Sequence, residues 1–178
     1  MKVAKSLGIL NKVKNILNKE VLRVLYFTMV QPYLLYCNVV WGGASQLALN
    51  RLIILQKRAV RLINHSQFSA PTSLIFKDLH ILRLEDLHSL QLALFVYKVL
   101  NNLVPQSCLH HVSNAVHPHR YALRRESQLC ITPFHSNIRE KYIGVCGPKF
   151  WNSLPEIVTA PACSFAAFKR RLFDFLIG

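Results

Sequence analysis

The chain has 178 residues, of which 52% are apolar or aromatic, and its mean hydropathy is +0.24. This content of apolar side chains is enough to bury a core, which excludes an intrinsically disordered tail. The 22 lysines and arginines outnumber the 8 aspartates and glutamates, so the formal net charge is +14. Because unpaired cations are costly to bury, we expect this charge on the surface, where it attracts polyanions. Nucleic acid is the first candidate partner, and an anionic membrane is the second.

Three helices are predicted in the first third of the chain. Apolar spacing predicts an amphipathic helix over residues 3–17. A second helix follows Asn18, which can cap its first turn, and Pro32 should kink or end it. A third helix begins after Ser45, another capping residue, and runs to about Asn64. The region therefore has the pattern of a helical bundle.

The third helix has two contrasting faces. Its buried face is predicted from apolar residues at helical spacing, namely Leu52, Leu55, Ala59 and Ile63. Basic residues cluster elsewhere on the helix, and the candidate nucleic-acid-binding residues are Arg51, Lys57, Arg58 and Arg61. Residues three and seven apart line up along one side of a helix, which suits contact with successive phosphates. The alternative is a solvated face that only keeps an apolar helix in solution.

Two more helices are predicted before the pattern changes. A short helix over residues 73–79 follows Pro71, and a long apolar helix covers residues 84–101. We therefore divide the chain into a helical region, residues 1–104, and a C-terminal region, residues 105–178. The predicted fold class is mainly α, with a helical bundle followed by an irregular α+β region and a terminal amphipathic helix.

The first half of the C-terminal region has weak periodicity. Residues 105–127 are predicted to form a loop with short helical pieces. Apolar residues alternate over residues 128–134, which predicts a strand. Residues 136–142 are predicted to form a short helix.

The second half contains clearer signals. Gly144, Gly147 and Pro148 are predicted to make a turn that docks Trp151 into the core. Ser164 is a good cap for a terminal helix whose Phe and Leu residues recur at helical spacing around a basic cluster.

A second basic segment lies within the predicted loop. Its candidate nucleic-acid-binding residues are His119, Arg120, Tyr121, Arg124 and Arg125. Cations beside an aromatic ring are typical of proteins that stack on the bases of single strands. Tyr121 can equally be a packing residue, because aromatic rings also fill cores.

The sequence offers no catalytic site. Polymerases hold two metal ions with paired carboxylates, and the only adjacent acids, Glu85 and Asp86, are explained by the helix dipole at the start of a helix. Cys108, Cys130 and the histidines between them match no zinc-finger spacing. We therefore expect no catalytic residue, no metal and no cofactor, and the chain is not expected to be an enzyme.

Cysteines and hydropathy bear on location. The five cysteines include no close pair, and no secretory leader is visible, which favours a reduced intracellular compartment, nuclear or cytoplasmic. The most apolar window, residues 24–41, is interrupted by Gln31, Pro32 and Asn38, so no membrane span is expected.

Three motifs in a fixed order give a family resemblance. Residues 56–61 read Gln-Lys-Arg-Ala-Val-Arg, residues 119–124 read His-Arg-Tyr-Ala-Leu-Arg, and residues 147–155 read Gly-Pro-Lys-Phe-Trp-Asn-Ser-Leu-Pro. With them the chain resembles the C-terminal part of a LINE-type (non-LTR) retrotransposon reverse transcriptase of the jockey-like kind. One departure is Leu123, which stands where the family often has Thr.

The resemblance implies a function for each region. Residues 1–104 would be a thumb-like helical region, with Arg58 and Arg61 among the residues that grip template and primer. The catalytic Asp residues of the palm domain are absent, so an upstream palm would have to supply the RNA-directed DNA polymerase chemistry. The predicted function is a non-catalytic fragment that binds RNA or DNA through its basic helices. The alternatives are an interaction or membrane-surface module, or the remnant of a decayed element without a selected function.

Overall fold

The computed structural model describes residues 2–109, 112, 129, 131, 133–159 and 164–178. All regular secondary structure within these ranges is helical, which confirms the mainly α fold class. The chain divides into two compact units, the first made of Met1–His88 with Leu176–Gly178 and the second of Ser89–Phe175. The division at residue 104 inferred from sequence stays a prediction.

The first unit contains six complete helices. Their bounds are α1 Lys2–Val13, α2 Lys19–Met29, α3 Gln31–Leu35, α4 Asn38–Trp41, α5 Gln46–Ile63 and α6 Ser73–Asp78. Helix α7, Leu84–Leu100, crosses the boundary between the units. The described helices of the second unit that follow are α8 Gln106–Leu109, α9 Asn137–Glu140, α10 Ile143–Ser153, α11 Glu156–Thr159 and α12 Phe165–Ile177.

Helices α1 and α2 form where apolar spacing and capping predict them. Val3, Leu7 and Leu10 on α1 are buried, as an amphipathic helix requires. The helix ends at Val13, earlier than predicted, because the amides of residues 16 and 17 both turn back onto the Val13 carbonyl. The predicted cap of α2 is confirmed, since Asn18 Oδ1 accepts a hydrogen bond from the Val21 amide at 2.9 Å.

The chain bends after α2 as the proline predicts. Helix α2 ends at Met29, and Pro32 occupies the first turn of α3, where its missing N–H is not needed. Cys37 then adopts a left-handed conformation with φ of 50°, which separates α3 from α4. Together these breaks lead the chain into α5.

Helix α5 is confirmed, but its buried face is rotated from the predicted one. Ser45 occupies the N-cap position without making a side-chain capping hydrogen bond. Ala59 and Ile63 are buried as predicted, whereas Leu52 and Leu55 are only half-buried. The inward-facing residues of α5 are Leu49, Gln56, Ala59, Val60 and Ile63. A glutamine thus occupies the centre of an otherwise apolar face.

Apolar packing organises the second unit. Its core cluster consists of Val96, Val99, Val112 and Leu129, with Trp151 packed against it. Phe168 of α12 is fully buried and stacks on Tyr97, with 4.5 Å between ring centroids. The predicted helices over residues 84–101 and 136–142 and at the C terminus are confirmed as α7, α9 and α12.

The predicted turn at Gly144, Gly147 and Pro148 is wrong, because these residues lie inside α10. A Cβ atom on Gly147 would come within 3.0 Å of Val96 Cγ2, so the glycine lets α10 approach α7 closely. Burial of this face offsets the hydrogen bond that Pro148 cannot donate within the helix. Trp151 reaches the core, as predicted, but from a helix rather than from a turn.

The predicted strand over residues 128–134 is also wrong within the part of it that is described. The backbone of Leu129 has a side-chain partner, since its N–H donates to Asn152 Oδ1 at 2.9 Å and its carbonyl accepts from Asn152 Nδ2 at 2.8 Å. One amide side chain on α10 therefore satisfies both backbone groups that a neighbouring strand would otherwise pair.

Candidate nucleic-acid interface

Helix α5 carries four of the predicted site residues, and the structure divides them. At about 100° per residue, Arg51 and Arg58 lie within about 20° of each other around the helix. Arg61 is turned about 60° from Arg58, and Lys57 about 100° from it. Arg51, Lys57 and Arg58 are exposed, and Arg61 is half-buried. Arg51 and Arg58 thus share a face that Lys57 does not.

Two large apolar side chains share the face of Arg51 and Arg58. We call this face the basic stripe and define it by Leu47, Arg51, Ile54 and Arg58, which follow one another at intervals of four, three and four residues. Leu47 is 85% exposed and Ile54 is 62% exposed. Helix α5 contains no acidic residue. Its two arginines lie about 10.5 Å apart along the axis, which is the rise of seven residues.

Within the described residues, the cations of the basic stripe have no ion-pair or hydrogen-bond partner, unlike Lys19 and Arg23. Lys19 forms an ion pair with Asp78, with 2.5 Å between Nζ and Oδ2, and Arg23 Nε donates to the Leu79 carbonyl at 2.6 Å. By contrast, no carboxylate in the described part of the chain lies within 4.0 Å of Arg51 or Arg58, and neither makes a hydrogen bond there. Their charges are therefore available to an external anion.

Arg61 has a structural role. Its Nε donates to the Ala70 carbonyl at 2.9 Å, and its guanidinium carbon lies 5.9 Å from the centroid of the Phe68 ring. These contacts tether the segment that follows α5. Replacing Arg61 would therefore disturb this segment as well as remove a charge.

Lys57 belongs to a different feature, a cavity of about 380 Å³. Its walls come from α5, from the start of α6 and from the start of α7, and its polar lining includes Asn50, Lys57, Ser73 and Arg83. Arg83 is not among the residues predicted from the sequence. The sequence shows only that Arg83 directly precedes a helix with two acids in its first turn. That position does not indicate that Arg83 shares a cavity with a residue of another helix.

A buried hydrogen-bond network of Gln56 joins the elements around this cavity. Its Nε2 donates to the Tyr26 hydroxyl at 3.0 Å and to the Leu82 carbonyl at 2.9 Å, and its Oε1 accepts from the Leu84 amide at 2.9 Å. We call these three contacts the Gln56 clamp. Burial raises the pKa of Tyr26 to about 12, although the hydrogen bond from Gln56 opposes the shift. No local pattern of residues indicates this network.

The two acids at the start of α7 have local roles. Glu85 Oε1 accepts a hydrogen bond from Gln46 Nε2 at 3.1 Å. Burial raises the pKa of the Asp86 carboxyl, which the charge of Arg83 opposes. Within the described ranges no three His, Cys, Asp or Glu side chains converge as metal ligands would.

The second predicted basic segment, with His119, Arg120, Tyr121, Arg124 and Arg125, lies outside the described residues. Its role stays a prediction. Among the helices that the structure describes, none combines the length and the apolar character needed to cross a bilayer.

Comparison of the chain with protein-family models, curated proteins and solved structures gives no significant match. The resemblance to the LINE-type enzymes therefore stays a prediction, as does the function inferred from it.

Proposed function

We propose that the chain is a non-catalytic module that binds RNA, DNA or their hybrid without sequence preference, as expected for the C-terminal part of a LINE-type reverse transcriptase. The observation that carries the proposal is the basic stripe, in which Arg51 and Arg58 face outwards from an 18-residue helix that contains no acid. Phosphate contacts of this kind supply most of the affinity of non-specific binding. Polymerase chemistry would require a separate palm domain.

An intracellular location, nuclear or cytoplasmic, belongs to the same proposal. Cys37, Cys108 and Cys146 are free thiols, which is the usual state in a reducing compartment.

The test is the salt dependence of duplex binding. The fluorescence anisotropy of a labelled RNA–DNA hybrid and of a DNA duplex is measured with the wild-type chain over a range of salt concentrations. The double variant Arg51→Gln/Arg58→Gln should lower the slope of log K against log salt by about 1.8 on the DNA duplex, or about 0.9 for each lost contact. The matched control is Lys5→Gln/Lys12→Gln, which removes two exposed charges from α1.

The control variant shows whether duplex binding depends on the basic stripe or only on the net charge of the chain. The control slope should change by less than about 0.5, because Lys5 and Lys12 are not on the stripe. Equal changes in both double variants would assign binding to net charge alone. Absence of binding by the wild-type chain at low ionic strength would refute the proposal.

A second candidate is an anionic membrane surface, and the exposure of Leu47 and Ile54 favours it. Helices with apolar and basic residues on one side can lie on such a surface, with the apolar side chains entering the bilayer boundary. Leu47→Ala/Ile54→Ala should weaken binding to phosphatidylserine vesicles and leave duplex binding unchanged. Vesicle binding without duplex binding would select this candidate over the first.

A further inference from the structure

The cavity beside α5 is a described site that the proposed function does not use. Its volume of about 380 Å³ is within the range of small-molecule sites, about 300–1,000 Å³. It lies about a quarter turn around α5 from the basic stripe. At about 100° per residue, Lys57 is turned by about 100° from Arg58, and Asn50 by about 80° in the same direction. The side chains of Ile53 and Phe76 give it an apolar wall.

The Gln56 clamp fixes the backbone positions from which the two cations of this cavity extend. Lys57 directly follows Gln56 on α5, while Arg83 lies between Leu82 and Leu84, whose carbonyl and amide both bond to Gln56. The backbones that carry the two cations are therefore held by one buried side chain. A site that is ordered before the ligand arrives loses less entropy on binding.

The lining of the cavity is positively charged overall. Lys57 and Arg83 oppose one carboxylate in the lining, Glu85, which already accepts a hydrogen bond from Gln46. The Asp86 carboxyl, outside the lining, also interacts with the charge of Arg83. In the described part of the chain neither cation has a carboxylate oxygen within 4.0 Å. The cavity also adjoins the N-terminal end of the 17-residue α7, whose dipole adds positive potential. These features favour an anion.

We infer that this cavity binds a phosphorylated ligand of mononucleotide size. Its phosphate lies between Lys57 and Arg83, and its nucleoside packs against Ile53 and Phe76, where Asn50 offers a donor and an acceptor. The ligand is either a free nucleotide or the 5′-phosphorylated end of a strand, since both present the same group. The inference does not depend on the proposed function, because the basic stripe is a separate surface.

Isothermal titration calorimetry with three probes at constant ionic strength tests the inference. AMP should bind the wild-type chain, inorganic phosphate should bind more weakly, and adenosine should show no binding. Lys57→Gln and Arg83→Gln should each weaken AMP binding by about tenfold or more, as expected for loss of a charge-assisted hydrogen bond. Lys12→Gln, which removes an exposed charge from α1, is the matched control and should bind like the wild type.

Two further variants test whether AMP binds in the cavity itself or is only attracted by the positive charge around it. Asn50→Trp should abolish AMP binding by filling the cavity without changing any charge, and Lys57→Arg should retain binding. Circular dichroism verifies that each variant is folded. A 5′-phosphorylated oligonucleotide that displaces AMP identifies the strand end as the ligand, and one that fails to displace it leaves the free nucleotide.

Three results would overturn the inference. They are the absence of both AMP and phosphate binding at low ionic strength, an equal loss in Lys12→Gln, and full binding by Asn50→Trp. Each can occur while duplex binding through Arg51 and Arg58 persists, and loss of duplex binding leaves AMP binding intact. The two proposals therefore fail independently.

Discussion

Each of the two compact units has a different kind of contact at its own centre. The first unit places a glutamine at its centre, and the Gln56 clamp joins α5 to α2 and to the start of α7 by directional hydrogen bonds. The second unit centres on aromatic rings, with Phe168 stacked on Tyr97 and 5.5 Å from Trp151 between ring centroids. A polar centre fixes the orientation of helices, whereas an aromatic one depends on shape and buried area.

The difference matters for the candidate sites. The backbone at Lys57 and at Arg83 is positioned through hydrogen bonds whose geometry tolerates little change, so the first unit holds the attachment points of two charged side chains in a defined arrangement. In the described part of the second unit, Asn152 makes a comparable polar contact with the backbone of Leu129. Stability measurements on matched variants of both units examine this contrast.

The largest effect is expected in the aromatic centre of the second unit. Phe168→Ala should lower the free energy of unfolding by about 4 kcal/mol, because the ring is 1% exposed and its loss leaves a cavity. Urea unfolding followed by Trp151 fluorescence in a Trp41→Phe background measures this. Phe175→Ala on the same helix is the control, with a ring 47% exposed and an expected loss below about 1.5 kcal/mol. Equal losses would contradict a centre at Phe168.

Breaking the polar centre of the first unit should have the next largest effect. Gln56→Leu keeps the size of the side chain but leaves the Leu82 carbonyl and the Leu84 amide without their partner, which should cost about 3 kcal/mol. Gln46→Leu, at an exposed position of the same helix, should change stability by less than about 0.5 kcal/mol. Urea unfolding followed by circular dichroism compares them. A neutral Gln56→Leu would show that shape alone holds this unit.

The hydroxyl in the polar centre should make the first unit sensitive to alkali. The folded-state pKa of Tyr26 is about 12 and the unfolded value is 10.0, so its contribution is fully present below pH 10 and is lost as pH rises towards 12. The loss should approach about 3 kcal/mol, at 1.36 kcal/mol for each pKa unit. Tyr26→Phe should lack this part of the pH dependence in urea unfolding at pH 9 and pH 11.5. Parallel pH profiles for the two proteins would rule out the effect.

Alanine substitutions at one glycine in each unit test how closely the helices of that unit pack. A Cβ atom on Gly42 would lie 2.3 Å from His88 Nδ1 and 2.6 Å from the Asn38 carbonyl oxygen, so Gly42→Ala should cost about 2 kcal/mol. Gly147→Ala should cost about 1 kcal/mol, since the valine methyl that it meets at 3.0 Å can shift.

The matched control is Gly8→Ala, where nothing lies within 4 Å of the added atom. Because Gly8 is within α1, alanine should stabilise the protein by about 0.8 kcal/mol through helix propensity. Thermal unfolding of the three variants gives the order directly. A Gly147→Ala variant less stable than Gly42→Ala would reverse the comparison.

Local sequence signals were enough for most helices of the first unit. Apolar spacing and Asn18 predicted α1 and α2, and Pro32 predicted the break after them, because spacing, capping and the missing proline N–H act within a few residues. The exposed arginines of the basic stripe followed from the same periodicity. Fold class and the position of one candidate interface were thus predictable from the order of residues alone.

Contacts between distant residues decided the rest. Gln56 became the centre of the first unit because Tyr26, Leu82 and Leu84 surround it, and none of them is near it in sequence. Helix geometry alone turns Lys57 about 100° away from Arg58, but the cavity that Lys57 shares with Arg83 exists only because distant segments meet there. In the second unit, close packing of Gly147 on α7 made a helix where glycine and proline predict a turn. Burial and hydrogen bonding across the fold outweighed local preference, since each contact contributes as much energy as the propensity that it opposes.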